Sequence, residues 1–385
     1  MDKIYVFFEW SSQMKVAIIT MHGSHNCGSM LQSYAFQKTL NTWGIDNRII
    51  NYRSSRQKKM YALLRTPSNM HDILYDLMKI SHYNKFHQHY VDYEFFLNKY
   101  LKLTDKEYSA ISELEELENY FDIFIAGSDQ IWNVLCDDAS DAYFLNFINS
   151  KKKIAYAPSF GVTDINYRVD NAQKYKKYIS NFNCLSVREN NGAKWIKELT
   201  NRDAKVVLDP VMLIHKSDYE ELIKHSEYKE KRYIFYYAFS YSDKINILVK
   251  QIGEILNLPI FILDAKGWVK SCKKYGMKLS KHSGPIAFID LLFNAQLVLT
   301  TSFHGTALSI VAQKKFWFLD SELHDIEDDR VPTVLNMFNL NQRMINGNDL
   351  LKKENILEDL DLNNINIILQ KKRNESLFFL QNALN

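Results

Sequence analysis

Short apolar runs recur along the chain, and each leads directly into small, polar or charged residues. Residues 15–20 (KVAIIT) precede Gly23-Ser24-His25-Asn26-Cys27-Gly28, and residues 121–126 (FDIFIA) precede Gly127-Ser128-Asp129-Gln130. Residues 153–157 (KIAYA) run into Pro158-Ser159-Phe160-Gly161, residues 184–187 into Arg188-Glu189-Asn190, and residues 205–208 into Asp209-Pro210. Runs this short predict buried strands. Apolar residues at helical spacing over 29–40, 170–182 and 192–200 lie between them, the alternation of a parallel sheet with a functional carboxyl edge.

A polar stretch at 215–231 separates this series from a second one. There 232–239 and 259–263 read as strands, and 243–256 and 286–293 as helices. The series reaches its clearest form at 297–319, LVLTTSFHGTALSIVAQKKFWFL: a strand at 297–299, a polar loop at 300–306, a helix at 307–313 and a strand at 316–319. Open α/β folds bind ligands just past the carboxyl ends of their strands. His304, the one imidazole of this unit, stands there, so a reactive centre is expected around it.

Two regions break the pattern. Residues 53–102 are basic and aromatic, with Lys58-Lys59, Arg65 and a helical stretch from 71 to about 102. They read as an insertion shaping the mouth of a cleft. Its His82, His87 and His89 have no acidic or cysteine partner at ligand spacing, so no metal site is read there. Peripheral contact with a membrane surface is the other reading, although no strong amphipathic stripe compels it. Residues 350–383 form two helical segments, and their Lys371-Lys372-Arg373 cluster is read as a solvated face.

Length divides the chain further: 385 residues exceed one ordinary core. The expected units are an α/β unit at 14–214 with a helical insertion at about 53–105, a second at 228–348, and a helical tail at 349–385. Hydrophobic residues at 46% and charged residues at 24% describe a soluble globular protein. A net charge of +3 argues against nucleic acid as the main partner. No apolar run is long enough to span a membrane. Residues 1–13 carry Asp2 and Glu9 without a signal-peptide core, and Met14 makes a sensible start, so they read as an extension. The scattered Cys27, Cys136, Cys184 and Cys272 indicate reduced thiols and a cytoplasmic protein. The 23 tyrosines suit a sugar-binding cleft or reflect a compositional bias of the gene.

The turn at 23–28 meets a helix N-terminus and offers backbone N–H groups to an anion. It lacks the G-x-G-x-x-G spacing of a dinucleotide site. Asn26 and Gly28 are therefore either ligand contacts or turn formers. Arg188 follows a strand directly and is placed to bind an anion with its planar fork, or to pair with Glu189. Asp129 is the leading carboxylate, either acting on a substrate hydroxyl or capping a helix with Ser128. His304 can serve as acid or base, the Gly305 and Thr306 N–H groups as a cradle for an anion, and Ser128, Gln130, Ser159, His22, Ser302 and Phe303 as further substrate contacts.

Taken in order, Asn26-Cys27-Gly28 with Leu31-Gln32-Ser33-Tyr34-Ala35, Ala126-Gly127-Ser128-Asp129-Gln130-Ile131-Trp132-Asn133, Tyr156-Ala157-Pro158-Ser159-Phe160-Gly161, Ser186-Val187-Arg188-Glu189, Leu208-Asp209-Pro210 and Thr301-Ser302-Phe303-His304-Gly305 resemble the polysaccharide pyruvyl transferase family. The resemblance implies two Rossmann-like domains facing a central cleft, as in GT-B glycosyltransferases, with the C-terminal helix returning to the first domain. It implies transfer of the enolpyruvyl carbons of phosphoenolpyruvate onto a sugar as a ketal, with no further cofactor and no metal. The acceptor would be a sugar of a surface polysaccharide or its lipid-linked precursor. Arg188 and His304 match the family's donor-binding positions. Ser302-Phe303 stands where many members have Arg-Leu, which removes one anion-binding arginine. Two other readings of the same fold are a glycosyltransferase using a nucleotide sugar and a non-catalytic sugar-binding protein.

Overall fold

The computed structural model describes residues 14–64, 70–320 and 328–385; the expected extension at 1–13 and Arg65 of the insertion lie outside them. Two parallel six-stranded sheets carry the chain. The first contains β1 (Lys15–Ile19), β2 (Asp46–Ile49), β3 (Ile123–Ala126), β4 (Lys152–Ala155), β5 (Cys184–Val187) and β6 (Lys205–Val206), in the order β2-β1-β3-β4-β5-β6. Helix α1 (Cys27–Thr42) follows β1. The insertion between β2 and β3 folds as α2 (Ser55–Tyr61), α3 (Met70–Ser81) and α4 (Tyr83–Tyr100). Helices α5 (Ala172–Ser180) and α6 (Asn190–Thr200) flank β5, and α7 (Lys216–Glu220) leads onward.

The second sheet contains β7 (Ile234–Tyr237), β8 (Ile260–Ile262), β9 (Lys278–Leu279), β10 (Leu297–Thr300), β11 (Phe316–Asp320) and β12 (Met344–Asn346). Read from its β9 edge, it runs β9-β8-β7-β10-β11-β12, the 3-2-1-4-5-6 order of a Rossmann sheet. Helices α8 (Asp243–Leu256), α9 (Ala265–Lys270), α10 (Gly284–Asn294), α11 (Phe303–Ala312) and α12 (Arg330–Met337) connect these strands. Two more, α13 (Gly347–Leu351) and α14 (Leu362–Leu384), follow β12. The expected pair of Rossmann-like domains in a GT-B-like arrangement is the observed fold. Every residue of β3 and β10 is buried, because helices cover both faces of each sheet.

One apolar cluster joins the two units. It begins with Val16, Ile18 and Ile125 of the first sheet, passes through α1, and continues into Phe288 and Leu291 of α10 and Leu308 and Ile310 of α11. Each fully buried side chain of this kind contributes roughly 1.5–3 kcal/mol. The shared cluster therefore holds the units together instead of leaving them on a free hinge. The outer faces close over separate cores around Trp132 and Trp317.

The tail divides between the units. Leu350 of α13 is buried in the outer core of the second sheet, whereas α14 crosses back to the first. There the Ser376 hydroxyl accepts the Leu208 N–H (3.0 Å). Arg373 is not part of a solvated face. It is buried, and its guanidinium donates to the carbonyls of Met212 and Ile214 (2.9 Å each). A charge run in sequence does not distinguish which member faces inward. The structure also starts α11 four residues before the expected 307, because the Ser302 side chain accepts the Gly305 N–H (3.4 Å) and caps the helix. The short edge strands β9 and β12 have no counterpart in the sequence reading.

Arg373→Ala leaves two buried carbonyls without a donor and should cost about 2–4 kcal/mol in urea unfolding. Lys371→Ala, at an exposed position beside it, should change stability by less than about 0.5 kcal/mol.

Candidate active site

Strand order reverses direction between β1 and β3 in the first sheet and between β7 and β10 in the second. Ligands of open α/β sheets bind at such switch points. The loops there carry Asn26 and the start of α1, Ser128-Asp129, and Ser302-Phe303-His304. The two switch points face each other closely. A Cβ on Gly28 would fall inside the van der Waals surface of the His304 imidazole, on its Nδ1 side. Glycine at this position lets the two helix N-termini meet.

Asp209 organises the cluster. It is buried just past β6, and its Oδ1 accepts the Val211 N–H (3.0 Å). Its Oδ2 accepts the Ser128 hydroxyl (2.8 Å) and NH1 of Arg188 (2.7 Å), and lies 3.6 Å from Nε2 of His304. Burial alone would raise the Asp209 carboxyl. The His304 imidazole, then the Arg188 guanidinium and the Val211 N–H, outweigh burial and hold it well below the usual carboxylate range.

Arg188 is buried as well, with its guanidinium carbon 4.2 Å from the centroid of the Phe303 ring. The departure at Ser302-Phe303 thus has a structural meaning: Ser302 caps α11, and Phe303 gives Arg188 a flat face to stack on. Asp209 uses one nitrogen of the fork. Nε is 3.8 Å from Glu189 and NH2 is 4.0 Å from Asp129, both too long for hydrogen bonds. Nε and NH2 of Arg188, Nε2 of His304 and Oε2 of Glu189 are all buried without a hydrogen-bond partner. Buried donors left this way are costly unless a ligand engages them.

Asp129 sits in the left-handed region (φ 78°), uncommon for a residue with a side chain. Its carbonyl accepts the Ser159 N–H (2.8 Å), its Oδ1 the Gln130 N–H (2.9 Å), and its Oδ2 the Ser29 hydroxyl. No helix follows it, so the capping alternative does not hold. Asn26 does cap a helix: its side chain accepts the N–H groups of Gly28 (2.8 Å) and Ser29 (3.2 Å).

Several expected contacts have structural duties. The Gly305 N–H goes to Ser302 Oγ and the Thr306 N–H to the Ser302 carbonyl (3.0 Å), so neither is free to cradle an anion. Ser159 is fully buried and its hydroxyl accepts the Gly161 N–H (3.0 Å). The Gln130 side chain accepts from Asn133 (2.9 Å). His22 is enclosed in the first unit between Thr20 and Asn51, and burial lowers its pKa to about 4, which keeps it neutral. The insertion histidines stay apart from this cluster: His87 stacks on Tyr83, and His89 packs against His25 and Tyr93.

Arg330, which the sequence reading passed over, opens α12 across the cleft. The N–H and side-chain amide of Asn190 donate to Thr333 Oγ1 (3.2 and 3.1 Å), and the Asn191 N–H donates to Asp329 (3.2 Å). These bonds dock the start of α12 beside the Arg188-Glu189 loop. Asp328 holds the guanidinium through Nε (2.7 Å) and NH2. Burial works against the Arg330 charge, but Asp328 and the carboxylates of Glu189 and Asp129 outweigh it and raise its pKa. A second arginine thus stands within electrostatic reach of Glu189 and Asp129, from a different loop. The sequence signal was only Asp-Asp-Arg ahead of an apolar helix.

The family model for polysaccharide pyruvyl transferases matches residues 26–322. Comparison with curated proteins gives no match. Among solved structures, the chain is similar to the UDP-GlcNAc 2-epimerase of Methanocaldococcus jannaschii in complex with UDP-GlcNAc and UDP (TM-score 0.51, 14% identity, 94% of each chain). It is also similar to S. aureus MnaA in a UDP co-structure (TM-score 0.51, 10% identity, 88% of this chain and 86% of that one). At such identities the likeness speaks for the fold alone.

Glu189 supplies a pH test of this geometry. Burial pushes its carboxyl from 4.5 up to about 7, against the opposing pull of Arg188 and the Phe160 N–H. Between those two pH values the native state holds a proton that the unfolded state has lost, so stability falls as pH rises and levels off above 7. Glu189→Gln should remove this slope, which amounts to about 3 kcal/mol over the window in urea titrations.

Proposed function

The chain belongs to the polysaccharide pyruvyl transferase family, and on that premise we propose that it transfers the enolpyruvyl carbons of phosphoenolpyruvate to a sugar as a ketal. The acceptor is a sugar of a surface polysaccharide or of its lipid-linked precursor, handled in the cytoplasm. The observation that carries the donor assignment is the pair of buried Arg188 nitrogens without a hydrogen-bond partner, near His304, whose buried Nε2 also lacks one. Phosphoenolpyruvate brings two anionic groups, and a guanidinium fork binds either one bidentately. Arg330 gives the second anionic group a counter-charge, taking over from the arginine that Ser302 replaces.

The reaction needs a proton on the methylene carbon, leaving an oxocarbenium-like centre at the neighbouring carbon. A sugar hydroxyl then attacks as it loses its proton, phosphate departs, and a second hydroxyl closes the ketal. Positive charge develops between bound anions and fixed carboxylates, where preorganised electrostatics act most strongly. His304, with Asp209 behind it, is assigned the proton delivery, and Asp129 takes the proton of the attacking hydroxyl. Glu189 can hold a proton near neutral pH beside the donor site. Asp209 is a positioning residue for Arg188 and His304.

Purified protein given phosphoenolpyruvate and a panel of sugar acceptors should release phosphate and form an acid-labile adduct. His304→Ala and Arg188→Ala should lower kcat/KM about a hundredfold or more. Arg330→Ala should raise KM for phosphoenolpyruvate about tenfold or more with a smaller change in kcat. Wild-type turnover in either of the first two variants would mean the site is elsewhere. Phosphoenolpyruvate should raise the melting temperature and UDP-sugars should not; the opposite result would move the reading to a nucleotide-sugar donor.

A further inference from the structure

Helix α3 is amphipathic with its polarity reversed. Of its three charged residues, Asp72 and Lys79 are buried and Asp76 is half-buried, and the Lys79 ammonium donates to the carbonyls of Ala62 (2.9 Å) and Leu63 (2.7 Å). Met70, Leu74, Leu77 and Ile80 are each more than half exposed, and Ile73 is also exposed. Spaced three and four apart, these five side chains form one stripe directed at solvent. Contiguous exposed apolar surface of this kind marks an interaction site.

The surroundings of the stripe are cationic. Lys266 and Lys270 of α9 reach the Tyr75 ring (5.4 and 5.5 Å), and Lys85 and Lys273 converge on the Trp268 ring (5.1 and 5.2 Å). Lys85, Lys270 and Lys273 are exposed, and no salt bridge to them is found among the described residues. We propose that α3 lies in the interface of a lipid bilayer bearing anionic headgroups, with its aliphatic stripe among the acyl chains and the lysines of α9 and its neighbours on the headgroups. An aliphatic stripe flanked by lysines is what interfacial helices present.

The surface is tied to the cleft. Lys79 fastens α3 to the end of α2, where Tyr61 lies within electrostatic reach of Asp129 and Asp138. Helix α4 bridges the two units through Asp92, which accepts the Ser283 N–H (2.7 Å). A docked α3 would therefore hold the mouth of the site beside the membrane. The docking surface is separate from the donor site, so its test does not depend on the donor chemistry.

The full chain should co-sediment with vesicles of phosphatidylglycerol and phosphatidylcholine, weakly with phosphatidylcholine alone, and less at raised salt. Leu74→Glu/Leu77→Glu and Lys270→Glu/Lys273→Glu should each lower vesicle affinity about tenfold or more while leaving the melting temperature unchanged. If the first variant is destabilised, the lysine variant alone decides. Absence of binding by the unaltered chain, or binding that both variants retain, would overturn the proposal. So would a dimer of the unaltered chain that Leu74→Glu/Leu77→Glu converts to monomers, since the stripe would then join two copies.

Discussion

The buried carboxylate of Asp209 is the constraint on which the rest of the site depends. It joins Ser128 at the end of one strand to Arg188 at the end of another and faces His304 from the opposite unit. An ionised carboxylate at this depth is tolerated only because cations and hydrogen-bond donors surround it. The same interactions orient the candidate site: Asp209 takes one nitrogen of the Arg188 fork and leaves two without a hydrogen-bond partner. Stability and site geometry are thus coupled, since the buried ion that must be paired is the one that aims the arginine.

Much of this was legible in the sequence. β5 and α8 fall at their expected bounds, because an apolar run ending in a charge and a long, well-capped periodic segment leave little freedom. Placing Asp129, Arg188 and His304 at strand ends required only counting strands, and the fold brings all three together. What periodicity could not supply was partnership. Arg188 had Glu189 as its sequence neighbour, yet its close partner is Asp209, twenty-one residues on, because β5 and β6 lie side by side. Arg330 was illegible for the same reason: its position comes from the docking of α12 on α6, and nothing local announces it.

The misreadings share a cause. Thr300–Thr306 looked like a loop because its residues are small and polar, but a serine cap and a glycine that fits closely against Thr300 turn most of it into the first turn of a helix. Over 53–102 the sequence reading finds no strong amphipathic stripe, yet α3 carries one, Met70, Ile73, Leu74, Leu77 and Ile80, and turns it to solvent. Lys371-Lys372-Arg373 shows the converse, a cationic residue taken for surface that is buried. Periodicity gives the faces of a helix; which face turns inward is decided by the elements it meets.

The C-terminal helix acquires a consequence from Arg373 and Ser376. They fasten α14 to the segment from Leu208 to Ile214, and Asp209 lies within it. During synthesis β6 and the Asp209 loop emerge long before α14, so the carboxylate that orients Arg188 waits unbraced until the last of these helices leaves the ribosome. The cluster around Asp209 is thereby completed only once α14 has been made, and a nascent chain holding both sheets but not α14 would be a folded body with an unfinished charge network.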